Sequence, residues 1–236
     1  MKLQVKFRIG ASPDMFYSEL DMVRKRTALL IVDMQNDFAH PEGMLGIYGN
    51  DLTGALEIIP RIKQLSDAFR KSGSKVIYTM HTFRPDLSDQ PKMFREVTRG
   101  RVSKVPGIPQ RKASLRRRNP FLIKNSWNAA IIDELVPQRK DIVIDTKHNY
   151  DSFYQTDLEQ ILRDLGIENL LVVGIATNVC VETTIRSAYH RDFRCILVED
   201  CTWTTNSELK ENTLKVISTH FGYLSSSDEV LKTMAN

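Results

Sequence analysis

"NLLVVGIATNVCVETTIRSA", residues 169–188, changes its pattern in the middle. The first seven residues are a continuous apolar run ending on Gly174 and Ile175, which is strand-like, and the remainder continues as an apparent helix. A strand that feeds a helix is the building unit of a parallel sheet, so the neighbouring segments decide the fold. Cys180 lies early in the helical part. Free cysteine is among the most buried residue types, yet a thiol at a helix N-terminus is also where a nucleophile would be held. The stretch alone leaves both readings open.

Outward from it the same alternation repeats. "ALLIVD" (28–33) is an apolar run closing on an acid, as in a strand buried on both faces of a parallel sheet. "LEIIPRIKQLSDAFRKSG" (56–73) has apolar residues three and four apart and closes on Gly73, as a helix with a glycine C-cap does. "KVIYTM" (75–80), "DIVIDT" (141–146) and "FRCILVED" (193–200) are strand-like; "TDLEQILRDLGI" (156–167) and "SELKENTLKVISTHF" (207–221) are helical. Thr156 and Glu159 have the spacing of a capping box. The alternation predicts an α/β fold in three layers, a doubly wound, mostly parallel sheet of about six strands with helices on both faces. Residues 1–26 read as an N-terminal extension and 27–236 as a single domain, with a long surface excursion over about 84–125, rich in Pro, Gly, Arg and Lys.

Bulk composition narrows the partners. With 236 residues and 42% hydrophobic content there is enough chain for one sizeable core. The most apolar runs are strand-sized, so no membrane partner is expected, and the N-terminus lacks the pattern of a signal peptide, which predicts a cytoplasmic protein. Three cysteines argue against a disulfide framework. Much of the net charge of +4 sits in "RKASLRRR" (111–118), which has no interleaved aromatics; a solvated loop or the rim of an anionic-substrate site is expected there, and no nucleic-acid partner.

Ligands of open parallel sheets bind beyond the carboxyl ends of the strands. Asp33 closes the first strand, Lys147 follows "DIVIDT", and Cys180 lies just past "NLLVVGI". An acid, an amine and a thiol at one sheet edge are the components of activated-nucleophile chemistry, although each alone has an ordinary structural reading. His81, in "TMHTFRPD", lacks the further ligands that a metal site needs and reads as a structural or substrate-facing residue.

Together, "ALLIVDMQNDF", the K-x-x-x-x-S-F…T-x-L pattern from Lys147, and "GIATNVCVETTIRSA" resemble the isochorismatase-like cysteine hydrolases over residues 27–223. "YTMHTFRPD" (78–86) and "SWNAAIIDELVPQRKDIVI" (126–144) resemble the ureidoacrylate amidohydrolases and related carbamoyl-amide hydrolases within that family. The resemblance implies a Cys180–Asp33–Lys147 triad, no metal and no cofactor in the chemistry, and a cis peptide between Ile175 and Ala176. It also implies oxyanion donors on the backbones of Ala176 and Cys180, a small-molecule substrate, and a homo-oligomer, dimer or tetramer. The helix N-terminus and the Lys147 cation are expected to favour the Cys180 thiolate. Asn36 and Phe38 are expected at the pocket mouth; Trp127 and Tyr150 stack on substrate or pack; Asn178 has the side chain of a helix cap.

Two positions depart from the subgroup pattern. Asn149 stands where it usually has an arginine, and Asp151 where it has a small neutral residue. If either faced the pocket, an acidic substrate would be less welcome. The expected function is cysteine-dependent cleavage of a C–N bond in a small ureido, carbamoyl or amide compound through a covalent acyl-enzyme. The alternatives are a hydrolase of nicotinamide or isochorismate on the same fold, and a non-catalytic scaffold relative.

Overall fold

The computed structural model describes residues 2–8, 17–97 and 121–235. The basic run 111–118 and the middle of the expected excursion lie outside them. Eight strands form one sheet: β1 (Lys2–Arg8), β2 (Tyr17–Val23), β3 (Thr27–Val32), β4 (Lys75–His81), β5 (Ile142–Lys147), β6 (Asn169–Ile175), β7 (Arg194–Trp203) and β8 (Tyr223–Ser225), in the order β2-β1-β8-β7-β6-β3-β4-β5. The six strands from β8 to β5 run parallel, as the alternation predicted. The other two come from the segment read as an extension: β1 and β2 pair antiparallel, and β1 meets β8 through Arg8 and Leu224.

Two helix layers cover the sheet, and the pleat sorts the strand residues between them. Leu29, Ile31, Val173, Ile175, Ile196 and Val198 pack with α1 (Thr53–Lys71) and with Val230 and Met234 near the end of the chain. Ala28, Leu30, Val32, Leu170, Val172 and Leu197 face the opposite way, against α2 (Leu158–Asp164) and α3 (Glu182–Tyr189). All six residues of β3 and all seven of β6 are buried, which is why both read as unbroken apolar runs. Each large aliphatic side chain so buried contributes about 1.5–3 kcal/mol.

Several local expectations hold and others do not. Gly73 ends α1 at φ +76°, with its N–H on the Arg70 carbonyl. The Thr156–Glu159 capping box does not form: Glu159 turns outward to Arg191 (2.9 Å), and Thr156 instead donates to the Ser152 carbonyl and receives the Leu158 N–H. The expected final helix splits into α4 (Ser207–Val216), capped by Asn206, and a wide turn over 217–221. Behind it lie two elements without a sequence signal, β8 and α5 (Ser227–Ala235). Among the described residues no helix is long and apolar enough to cross a membrane.

What this topology does for the site is set by β3. The chain leaves β3 toward β4 and β5 on one side, and later returns to place β6 on the other. The crevice where strand order reverses therefore opens at the carboxyl ends of β3 and β6. There the strands approach closely: Val32 pairs with Gly174, which sits at φ +116°, and a Cβ at that position would overlap the Val32 backbone.

Candidate active site

Four consecutive neighbours in the sheet each end on a buried functional side chain. β3 delivers Asp33, β4 ends on His81, β5 ends on Lys147, and the turn after β6 carries Cys180. His81 and Lys147 are register partners, just past a bulge at the end of the β4–β5 ladder. Asp33, Lys147 and Cys180, which the sequence singled out, are thus brought together. The Ile175–Ala176 peptide is cis, and Cys180 lies in a wide helical turn, Thr177–Val181, that runs into α3.

Asp33 is held on every side. Its backbone is left-handed (φ 52°), a conformation that costs a non-glycine residue about 1–2 kcal/mol and persists only where neighbours enforce it. Its N–H donates to the Thr79 carbonyl (3.1 Å) and its carbonyl accepts from Gln35 N–H (2.8 Å). One carboxylate oxygen accepts from Thr79 Oγ1 (3.0 Å), and the other accepts from the Lys147 ammonium. Behind Thr79 a relay of hydroxyls runs back to α3: Thr184 donates to Ser152 (2.9 Å), and Ser152 lies 3.5 Å from Thr79. Ser152 is the serine of the K-x-x-x-x-S-F pattern; its place in this relay could not be read from the sequence.

Electrostatics here are those of a dry ion pair. Burial is the largest single influence and lowers the Lys147 pKa, but the charges of Asp33 and Cys180 and the hydrogen bonds to them together outweigh it, and the net shift is upward. Lys147 therefore stays an ammonium ion. Burial pushes the Cys180 thiol up strongly; Lys147 pulls it back, and the adjacent Asp33 carboxylate opposes that pull. The cation thus favours the thiolate, as expected, but desolvation exceeds that help and the net shift is upward. The other two cysteines are buried and free, as expected of core residues, with Cys195 pushed up to about 12.

His81 is the residue the sequence undervalued. Its imidazole is buried, and neither ring nitrogen has a hydrogen-bond partner of ordinary geometry. Burial first, and the Lys147 charge second, hold its pKa well below the usual histidine value, only partly offset by the His148 backbone. Asp33, His81 and Cys180 each place one polar side-chain atom within 4.8 Å of the others. The Lys147 ammonium already serves Asp33 and Cys180 as their cation.

The main chain of His81 is by contrast locked. Buried Gln35 accepts from His81 N–H (2.8 Å) and donates to the His81 carbonyl (3.0 Å) and the Ala129 carbonyl (2.7 Å). Around the ring stand Phe83 (4.9 Å between centroids), Phe94 (5.3 Å) and Tyr150 (6.2 Å), all edge-on. Nearby, buried Asp37 ties the segment after Asp33 to the far side of the excursion, accepting from Leu122 N–H (2.7 Å), Asn128 (2.7 Å) and Met44 N–H (3.0 Å).

The expected substrate residues fare unevenly. Tyr150 belongs to the aromatic wall beside His81, and Phe38 packs on the adjoining Phe83 cluster. Asn36 spends its amide on the Trp127 carbonyl (2.7 Å), and Trp127 is 46% exposed with its ring edge-on to His40. The Asn149 side chain folds back to accept from Tyr150 N–H (2.8 Å). Asp151 accepts from Phe153 N–H (2.8 Å) and from Ser187 of α3 (2.7 Å). Both departures from the subgroup pattern therefore have local structural partners. Asn178 does not cap the helix: its oxygen accepts from Thr204 (2.6 Å).

Comparison with known proteins points to one lineage. The isochorismatase domain model matches residues 27–229. The ureidoacrylate amidohydrolase RutB of Azorhizobium caulinodans is 34% identical over 212 residues, covering 87% of this chain and 89% of that protein. The RutB of Stutzerimonas stutzeri is 34% identical over 222 residues, covering 92% and 86%. Among solved structures, a cysteine hydrolase from Pseudomonas syringae pv. phaseolicola superposes with a TM-score of 0.75 at 27% identity, covering 91% of this chain and 94% of that one. The N-carbamoylsarcosine amidase of Thermoplasma acidophilum does so with 0.61 at 26% identity, covering 86% and 97%.

Proposed function

The chain belongs to the isochorismatase family, and from that premise we propose that it is an amidohydrolase that cleaves a C–N bond of a small ureido, carbamoyl or amide compound through a covalent acyl-enzyme on Cys180. The observation that carries the reading is the buried Asp33–Lys147 ion pair set against the Cys180 thiol. The names of the relatives, which act on ureidoacrylate or N-carbamoylsarcosine, supply the substrate class.

The chemistry follows from the charges. A neutral buried thiol is a poor nucleophile, so its proton must leave as the S–C bond forms. Asp33 accepts it, and positioned base catalysis of this kind contributes about 10²- to 10⁴-fold. Lys147 holds the carboxylate in place through their ion pair and neutralises the thiolate as it develops. Attack on the carbonyl carbon pushes its π electrons onto oxygen. The N–H groups of Ala176 and Cys180 receive that oxyanion, and a donor so placed contributes about 2.7–4 kcal/mol. Collapse breaks the C–N bond as Asp33 returns the proton to the departing nitrogen. Water, deprotonated by Asp33, then attacks the thioester-like carbonyl and releases a carbamate or an acid together with the free thiol.

Ammonia release and product mass, measured for the wild type and Cys180→Ala against ureidoacrylate, N-carbamoyl amino acids, biuret and nicotinamide, test this. Turnover of a ureido or amide compound is expected, absent in the variant, with an acyl adduct on Cys180 in the rapidly quenched wild type. Retention of turnover by Cys180→Ala excludes covalent catalysis at this residue, and ammonia-free conversion of isochorismate by a folded protein inert to the whole panel would replace the reading.

A further inference from the structure

We propose that the imidazole of His81 is a specificity-determining contact for the substrate, accepting a hydrogen bond from a ureido N–H next to the carbonyl under attack, so that the site selects carbamoyl compounds bearing that N–H over ester isosteres. The inference rests on the hydrolase reading above and deepens it.

Three observations carry it. The ring is buried and neither nitrogen has a hydrogen-bond partner of ordinary geometry, the His148 backbone offering a weak contact to one of them at most, although buried polar groups are nearly always paired and an unpaired one costs about 1–3 kcal/mol. Its surroundings make no use of the vacancy: Gln35 fixes the backbone through three hydrogen bonds, and Phe83, Phe94 and Tyr150 offer ring edges without closing on the nitrogens. One ring nitrogen also lies within 4.8 Å of both a carboxylate oxygen of Asp33 and the Cys180 sulfur. Neither of them is a hydrogen-bond partner of the ring, so the three side chains are free to face one substrate group together.

The chemistry of the neighbours selects the direction of the bond. Lys147 and the backbone N–H groups after β6 are donors, and the Asp33 oxygens already accept from Thr79 and Lys147. A neutral imidazole carries one N–H and one lone pair, and no side chain among the described residues engages that lone pair. Burial and the Lys147 charge keep it neutral, so it remains an acceptor at physiological pH. A urea R–NH–CO–NH2 whose oxygen turns to the oxyanion donors still presents N–H groups, and one of them completes the imidazole. The carbamate ester R–O–CO–NH2, attacked in the same orientation with its alkoxy oxygen toward the ring, opposes two lone pairs. Sites built around a buried polar partner reject the analogue lacking it far more strongly than apolar pockets reject a methylene.

The test compares kcat/KM for a ureido compound turned over by the wild type with that for its carbamate-ester isostere and for p-nitrophenyl acetate, which has no N–H. His81→Phe keeps an aromatic ring among Phe83, Phe94 and Tyr150 and removes the lone pair. It is expected to lose about 10- to 100-fold on the ureido compound and at most about threefold on p-nitrophenyl acetate, with His81→Asn, which retains an acceptor, recovering part of the loss. Equal losses on all three compounds would show a merely structural histidine and overturn the inference, as would no loss on the ureido compound. Should His81→Phe fail to fold, His81→Gln and His81→Leu give the same ratio. Failure of the underlying hydrolase reading looks different, because there Cys180→Ala keeps turning over the ureido compound whatever residue stands at position 81.

Discussion

At the scale of single residues, the site depends on keeping opposite charges dry. Asp33 and Cys180 keep Lys147 an ammonium ion, and His81, a few ångströms away, is held neutral by burial and by that same ammonium. That neutrality has a consequence for stability. In the unfolded chain His81 binds a proton below about pH 6.5, whereas in the fold it does not, so in this window the unfolded state holds more protons and stability falls as the pH drops. The groups facing the ring do not reverse the sign: the His148 backbone favours its protonation, but burial and the Lys147 charge exceed that help, and the Asp33 charge is already matched by Lys147. His81→Phe removes this proton from the difference. Urea unfolding at about pH 7, 6 and 5 is expected to show a shallower fall in the variant, by up to about 1.4 kcal/mol per pH unit. Identical slopes would mean that His81 titrates normally in the native state.

At the scale of elements, β3 and β6 place the acid and the thiol, and their spacing rests on Gly174. With φ +116° and the Val32 backbone against it, an alanine there meets both a disfavoured conformation and a backbone overlap that no rotamer relieves. Gly174→Ala is expected to cost about 3 kcal/mol or more, counting about 1–2 for the conformation and the rest for parting the strands, with activity falling alongside. Denaturant midpoints and kcat on the same preparation check it; a variant of wild-type stability would show that the two strands can separate freely. How well elements could be read from the sequence follows the same physics. Strands buried on both faces announced themselves as apolar runs, and α1 announced itself by spacing and by Gly73. β8 has only three residues, too few to establish a period, and β1 and β2 pair at the sheet edge, where no run of apolar residues is required. The capping box failed because Glu159 has Arg191 within reach, a tertiary partner that no local spacing reveals.

At the scale of the whole molecule, one sheet gathers the site from four strands that are far apart in sequence and adjacent in space. The convergence of Asp33, Lys147 and Cys180 was legible because each stands at or just past the end of a recognisable strand. Their support was not: Gln35, Asp37, Ser152 and Thr184 act through hydrogen bonds 32 to 94 residues distant, visible only after folding. His81 stood in plain view but lacked a pattern, since its significance is the absence of a partner. Because β3, β4, β5 and β6 are the centre of both hydrophobic layers, a ligand held by their ends binds the native state and not a locally opened one. Ligand binding should then stabilise the entire fold. Cys180→Ala, unable to turn its substrate over, is the protein for that measurement. At a ureido-ligand concentration about a hundred times Kd the native state gains about 2.7 kcal/mol, and for a chain of this size that raises Tm by about 5–10 °C. Calorimetry should show a single transition moving upward with ligand concentration. A ligand that binds by isothermal titration yet leaves the main transition where it was would place the binding energy in a part of the molecule that opens separately from the sheet.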